Sequence, residues 1–371
     1  MKDIAGKPVK IPKFSHSIKD AYKAALGSIG FLKKTIVPNE YEKVIFFILD
    51  GLGYKVMNER GILKKTRMKT TEMGSVIPSV TPSALSSIFT GTDPATHGVV
   101  GVSFWMSQIG AGFSPLGFYN LSKGEVSDLD SSELLLSDSL VTSSIKEGVD
   151  TRVVLPDSIE NGLSQALYEG STANFVPSLG GTYYGLSKFL RNKSESIAIA
   201  YHEQPDMLLH EGYPDAAIKA ELNAVFSVVK KLKSQKSAKK TVLIFMGDHG
   251  SIEMNGISEL LSISDMLKTR PLGGSRHAHL YVKKGKKEEV VKNILGAHVF
   301  DSQRILDKKF LGKPNYETYN RMGDLFLLAK EDNALFYEKA PFSSDHGSIT
   351  KEELSTAFLH CTLSDFNPLR L

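Results

Sequence analysis

The chain has 371 residues, 41% of them hydrophobic and 23% charged, with 45 basic against 41 acidic side chains and a formal net charge of +4. This length accommodates one large α/β domain with an insertion, or two ordinary domains, and the composition excludes disordered, collagen-like and membrane-bundle proteins. The near balance of charge leaves no basic stripe for a stable nucleic-acid partner, and the one cysteine, Cys361, excludes an internal disulfide and a thiolate-rich zinc site. Lys7, Pro8, Lys10, Pro12 and Lys13 interrupt any apolar signal core near the N-terminus. No run approaches the ~18 apolar residues of a membrane span. The expectation is a soluble, cytoplasmic protein with no membrane partner; nothing specifies its oligomeric state.

After a polar lead-in with a helical stretch over Ile18 to Leu26, Val44 to Leu49 is a continuous run of β-formers that stops on Asp50-Gly51. Such a run reads as a fully buried parallel strand, and in sheets of that kind ligands collect beyond the carboxyl ends of the strands. Pro82 suits the first position of a helix, so a helix is expected to start directly after Thr81 and to run to about Phe89, which puts Thr81 at an anion-favouring N-terminus. Residues 103 to 147 are of low regularity and are expected to cover or flank a site. Thr151 to Leu155 reads as a strand, as does Ile197 to Ala200, which precedes Asp206 and His210. Ala216 to Leu232 has helical spacing, and the lysines at its end read as a solvated helix terminus. Val242 to Met246 is a further buried strand, ending before Asp248-His249-Gly250. Residues 265–335 alternate helical and strand patterns and are read as a cap inserted into a catalytic domain of 1–264 and 336–371. A second Asp-His-Gly follows at Asp345 to Gly347, and then a capped helix is expected over Thr350 to Phe358, with Glu353 as the capping-box acid.

The acids and imidazoles at these strand ends make a metal-dependent reading specific. Asp50, Asp248 and His249 supply two carboxylates and an imidazole for one ion, with Thr81 for its open position. Asp206 and His210, four apart, share one face of a helical turn and can chelate another ion, with His346 the best-placed third ligand. Two such cations ~4 Å apart would clamp the oxygens of a phosphoryl group and activate the threonine hydroxyl. Each fragment alone also has a structural reading: strand-end Asp-Gly as a turn, Asp-x-x-x-His as a surface pair, His-Gly as a tight turn. His97, His277 and His279 are read as structural or peripheral.

Taken together, Ile48-Leu49-Asp50-Gly51, Pro78 to Pro82, Thr90 to Gly98, Pro205 to Gly212, Gly247 to Gly250 and Asp345 to Gly347 resemble the alkaline phosphatase superfamily, and within it the nucleotide pyrophosphatase/phosphodiesterase branch. The resemblance implies a three-layer α/β/α fold with a mostly parallel central sheet and a small α+β cap. It further implies two divalent ions, zinc first and manganese as the alternative, one at Asp50, Thr81, Asp248 and His249 and the other at Asp206, His210 and His346. Thr81 would attack phosphorus to form a covalent phospho-threonine, hydrolysing phosphodiester or pyrophosphate bonds of nucleotide-like or other small phosphorylated substrates. Two departures bear on substrate: Val102 stands where nucleotide-cleaving relatives usually carry an Asn, and no Arg lies close in sequence to Thr81, although Arg276 could fold into place. A phosphonoacetate-type C–P hydrolase, a phosphomonoesterase or phosphomutase, and a non-catalytic metal-binding scaffold are the alternatives. A metal-free Ser-His-Asp hydrolase lacks the Gly-x-Ser-x-Gly elbow it would need.

Overall fold

A computed structural model describes residues 1–33, 35–337 and 342–371. Seven strands form the principal sheet: β1 (Lys43–Leu49), β2 (Lys69–Gly74), β3 (Thr151–Pro156), β4 (Thr172–Val176), β5 (Ile197–His202), β6 (Thr241–Met246) and β7 (Ser355–Thr362). Their spatial order is β2-β7-β6-β1-β5-β3-β4. β1 pairs in parallel with β6 on one side and β5 on the other, and β5, β3 and β4 continue the parallel array. Only β7 runs against its neighbours, β6 and β2.

Alternate side chains of the central strands feed two separate cores. Val44, Phe46 and Ile48 of β1 face a core that includes the helices Ala21–Ser28 and Thr81–Thr90, whereas Ile45, Phe47 and Leu49 face another packed by the helices Leu179–Arg191 and Asp215–Lys231. Both faces of these strands are therefore covered by helices, which explains why β1 and β6 are apolar without alternation. The arrangement is a mixed α/β fold whose large sheet is mostly parallel, as the sequence leads one to expect.

Residues 103–147, expected to be irregular, contain a four-stranded antiparallel meander of Phe104–Met106, Ala111–Ser114, Tyr119–Asn120 and Glu125–Val126. Its strands are too short to register as a pattern in sequence. A further four-stranded sheet joins Leu272–Gly273, His277–Leu280, Leu325–Ala329 and Ala297–Asp301, above a third apolar cluster that includes Leu280, Val290 and Leu327.

The expected helix over Thr350 to Phe358 is corrected by the structure. The capping box between Thr350 and Glu353 forms, but the helix stops at Leu354 and the chain continues as β7. Ala357 and Leu359 enter one core and Phe358 the other, a two-residue alternation that fills the gap between β6 and β2. Tertiary burial on both faces overrides the helical start signal. Among the described residues no helix is long and apolar enough to cross a membrane.

Candidate active site

Three parallel strands end side by side, and the register brings their last residues level: Leu49 of β1 opposes His202 of β5, and Ile48 opposes Met246 of β6. Asp50 follows β1 directly, Asp248 and His249 follow β6 after Gly247, and Asp206 and His210 lie on the short helix Gln204–His210 that follows β5. Thr81 opens the helix Thr81–Thr90 with Val80 extended as its N-cap and Pro82 in the first turn. His346 arrives from a different direction, just after the two-residue strand Ser344–Asp345, which pairs with Ile252–Glu253 beyond β6.

The structure brings all seven of these side chains into one cluster, buried except at the partly exposed His210. Thr81 Oγ1 lies 3.4 Å from Asp50 Oδ1 and 3.1 Å from His249 Nε2. His249 Nε2 is 3.4 Å from Asp50 Oδ1 and 3.4 Å from Asp248 Oδ2. On the other side His210 Nε2 is 2.9 Å and His346 Nε2 3.8 Å from Asp206 Oδ2. The halves touch, since the His249 and His346 rings stack with centroids 3.6 Å apart. Ligand atoms of Asp206, His210 and His346 lie within 4.8 Å of one another, and so do those of Asp50, Asp206 and His249, so that Asp206 faces both halves.

The imidazoles are held in one sense. Nδ1 of His210 faces the Ser344 carbonyl at 2.8 Å, that of His346 the Ser79 carbonyl at 2.8 Å, and that of His249 the Gly250 carbonyl at 3.2 Å. A carbonyl can only accept, so each Nδ1 carries a proton, and Nε2 is the ring nitrogen turned toward the carboxylates, the atom that a metal-ligating histidine offers to its ion. Gly51, at φ +68°, permits the tight turn after Asp50, and a side chain there would collide with the Asp206 carboxylate.

Electrostatics make the same point. Burial, and then Asp50, push the Asp248 carboxyl well above the usual carboxylate range. Burial also works to raise Asp206, but His346 and His210 outweigh it and hold that carboxyl well below the range. Asp206 Oδ1 and Asp248 Oδ2 are buried with no hydrogen-bond partner among the described residues. Converging buried carboxylates with unpartnered oxygens, set against three imidazole Nε2 atoms, suit oxygen- and nitrogen-loving divalent cations. The donor set therefore fits a metal pair.

Two residues at the cluster escaped sequence reading. Tyr201, in the apolar run of β5, donates its hydroxyl to Asp50 Oδ2, and burial with the nearby Asp50 charge holds that phenol well above its ordinary pKa. Asp345 lies in the second Asp-His-Gly; its Oδ1 accepts the His346 N–H at 2.7 Å and stands 3.8 Å from His346 Nε2, while Oδ2 accepts from Ser275. Adjacency to His346 was the available signal for Asp345. Tyr201 had none. Arg276 does not reach the site: it is buried against Glu353, donating from Nε and Nη2 at 2.9 Å each. Val102 does reach it, lining a cleft of about 600 Å³ that opens from Thr81, Asp50, Asp206 and His346. His97, His277 and His279 are fully buried outside the cluster.

A family model described as type I phosphodiesterase / nucleotide pyrophosphatase matches residues 44–349. No curated protein matches the chain. Among solved structures, murine ectonucleotide pyrophosphatase/phosphodiesterase 5 superposes with a TM-score of 0.68 at 17% identity, covering 86% of this chain and 87% of that one; an inactive form of it was solved in complex with AMP. Its human counterpart gives 0.69 at 16% identity over 86% and 87%. Phosphonoacetate hydrolase from Sinorhizobium meliloti 1021, solved with phosphonoacetate, gives 0.62 at 16% identity over 87% and 90%. At these identities the likeness between structures establishes the shared fold.

Proposed function

This chain belongs to the type I phosphodiesterase / nucleotide pyrophosphatase family, and we propose on that footing that it is a metal-dependent hydrolase cleaving phosphodiester or pyrophosphate bonds of small phosphorylated substrates through a covalent phospho-threonine at Thr81. The observation that carries the reading is the placement of the Thr81 hydroxyl, 3.4 Å from Asp50 Oδ1 and 3.1 Å from His249 Nε2 at the floor of an open cleft.

Asp50, Thr81, Asp248 and His249 would hold one divalent cation, zinc in the first instance, and Asp206, His210 and His346 a second. When bound, the pair supplies charge neutralisation at the phosphoryl oxygens and acidifies the threonine hydroxyl. The protein's own contribution is positional. Tyr201 fixes Asp50 from behind, three carbonyls fix the imidazole tautomers, and the start of the helix Thr81–Thr90 aims Oγ1 into the cleft. Thr81 Oγ1 forms a bond to phosphorus as the ester or anhydride bond to the leaving group breaks, and its proton faces Asp50 Oδ1. Water then attacks phosphorus, the P–Oγ1 bond breaks, and the threonine regains a proton.

C–P hydrolysis of a phosphonoacetate-type substrate is the second reading, favoured by Arg270 on the cleft lining, a cation able to meet a substrate carboxylate. Rates on bis(p-nitrophenyl) phosphate, p-nitrophenyl phosphate and phosphonoacetate, each with zinc or manganese restored to stripped protein, separate these chemistries. The diester should be fastest. Acid quenching during turnover of the diester should trap a p-nitrophenyl-phosphoryl group on Thr81, and Thr81→Ala should lose both the adduct and turnover. Full turnover by that variant would move the nucleophile elsewhere, with Ser79 next in line.

A further inference from the structure

We propose that the cleft selects phosphodiesters whose non-reacting ester group is apolar, an alkyl or aryl chain in place of a nucleoside. The inference rests on the reading of Thr81 as nucleophile and adds the substrate class. A cleft of about 600 Å³ is of the size that holds a whole small molecule, well beyond a phosphoryl group alone. Its walls are aliphatic where they leave the acid and imidazole cluster: Val102, Leu116, Leu121, Ile159 and Met207 all line it. Leu116 and Met207 are 38% and 51% exposed, two large apolar side chains open to water on the walls of one cavity. Water against such a surface is released when an apolar chain lies on it.

Several polar side chains of the lining are already engaged. Ser103 Oγ accepts from the Gly273 N–H at 2.7 Å and donates to the Gly273 carbonyl at 3.1 Å. Ser275 donates to Asp345, Tyr201 donates to Asp50, and the Glu203 carboxylate accepts from Ser158 at 3.3 Å. No Asn or Gln is found among the described lining residues. A nucleobase edge presents donors and acceptors in fixed order, and where it is pressed against an aliphatic wall it gives up bonds to water without replacement. An alkyl or aryl group makes no such demand. Arg270, exposed on the lining, is the feature that a second substrate anion would use instead, and the experiment includes that case.

The test uses the full chain reconstituted with zinc and a series of p-nitrophenyl phosphodiesters, below their aggregation concentrations, that share the leaving group and differ in the retained ester: methyl, butyl, octyl, 7-carboxyheptyl and thymidine-5′. Each fully buried methylene is worth about three- to fourfold in binding, so kcat/KM should rise at least tenfold from methyl to octyl, and the thymidine ester should fall below octyl. Leu116→Ser should cut the octyl-to-methyl ratio at least threefold. Octylphosphonate should bind tighter than AMP by calorimetry, a comparison that decides the matter even if turnover is absent. A flat series, a thymidine ester above octyl, a carboxyheptyl ester above octyl, or AMP binding tighter than octylphosphonate would each overturn the assignment. Absence of turnover on every ester, with octylphosphonate still preferred, would instead refute the reading of Thr81 and leave the apolar wall standing.

Discussion

Arg276→Met separates two roles that the sequence leaves open for this arginine, phosphate contact or internal support. Arg276 and Glu353 are both fully buried. The guanidinium donates to both carboxylate oxygens at 2.9 Å, to the Glu331 carbonyl at 2.7 Å and to the Asn333 carbonyl. Glu353 in turn accepts the Ser348 N–H at 2.9 Å, two residues from His346, and the Thr350 N–H and hydroxyl at 3.1 and 2.7 Å. Arg276 thus ties the 265–335 segment to the loop that carries His346. Methionine fills similar volume but leaves the carboxylate buried without its cation, a loss of about 3–5 kcal/mol. The two part-buried carbonyls that lose their donor add about 1 kcal/mol each, which carries the total to the top of that range or beyond it. Urea denaturation of the metal-free protein should show the midpoint falling at constant m, and zinc affinity should weaken through the displaced His346 loop. Arg276→Met with Glu353→Met should recover part of the loss, though not the Ser348 and Thr350 bonds. An unchanged midpoint with a raised KM would refute this reasoning and return Arg276 to the substrate.

His210→Ala should remove one of two zinc equivalents from the purified protein, measured by elemental analysis after dialysis; retention of both would break the proposed Asp206, His210 and His346 grouping. Tyr201→Phe removes the hydrogen bond to Asp50, and a bond to a charged group is worth about 1.5–3 kcal/mol, so kcat should fall roughly ten- to a hundredfold with the fold intact by circular dichroism. His97, lowered to about 3 by burial and by nearby Arg321, is buried neutral with Nδ1 accepting the Val99 N–H and Nε2 facing Ser87. Its folded value lies below the unfolded one of about 6.5, so its contribution to stability is fully present above pH 6.5 and is lost as pH falls from there toward 3. The slope is about 1.4 kcal/mol per pH unit. Urea midpoints of His97→Gln between pH 7 and pH 5 should depend on pH less steeply than those of the parent, and parallel curves would show that the folded imidazole takes up its proton as readily as the unfolded one.

Much of the fold is carried by consecutive residues. Val44 to Leu49 and Val242 to Met246 are apolar on both faces because each strand meets helices on both sides, and a stretch of that kind announces itself without knowledge of its neighbours. The acids and imidazoles that stop these runs were legible for the same reason, since a parallel strand must end at the ligand-binding edge of its sheet. Their order along the chain, repeated over some 300 residues, also carried the family.

Sheet order and long-range packing decided the rest. Ser355 to Thr362 begins behind a good helix cap, yet becomes β7 because an unfilled place between β6 and β2 buries both of its faces. Arg276 looked available to a phosphate until Glu353, 77 residues away, proved to be its counter-charge. Tyr201 reaches Asp50 only because β5 lies beside β1 in register. Periodicity and turn chemistry are properties of neighbours in the chain, whereas the pairing of a buried charge depends on which distant segment is folded against it, and no local pattern of residues records that choice.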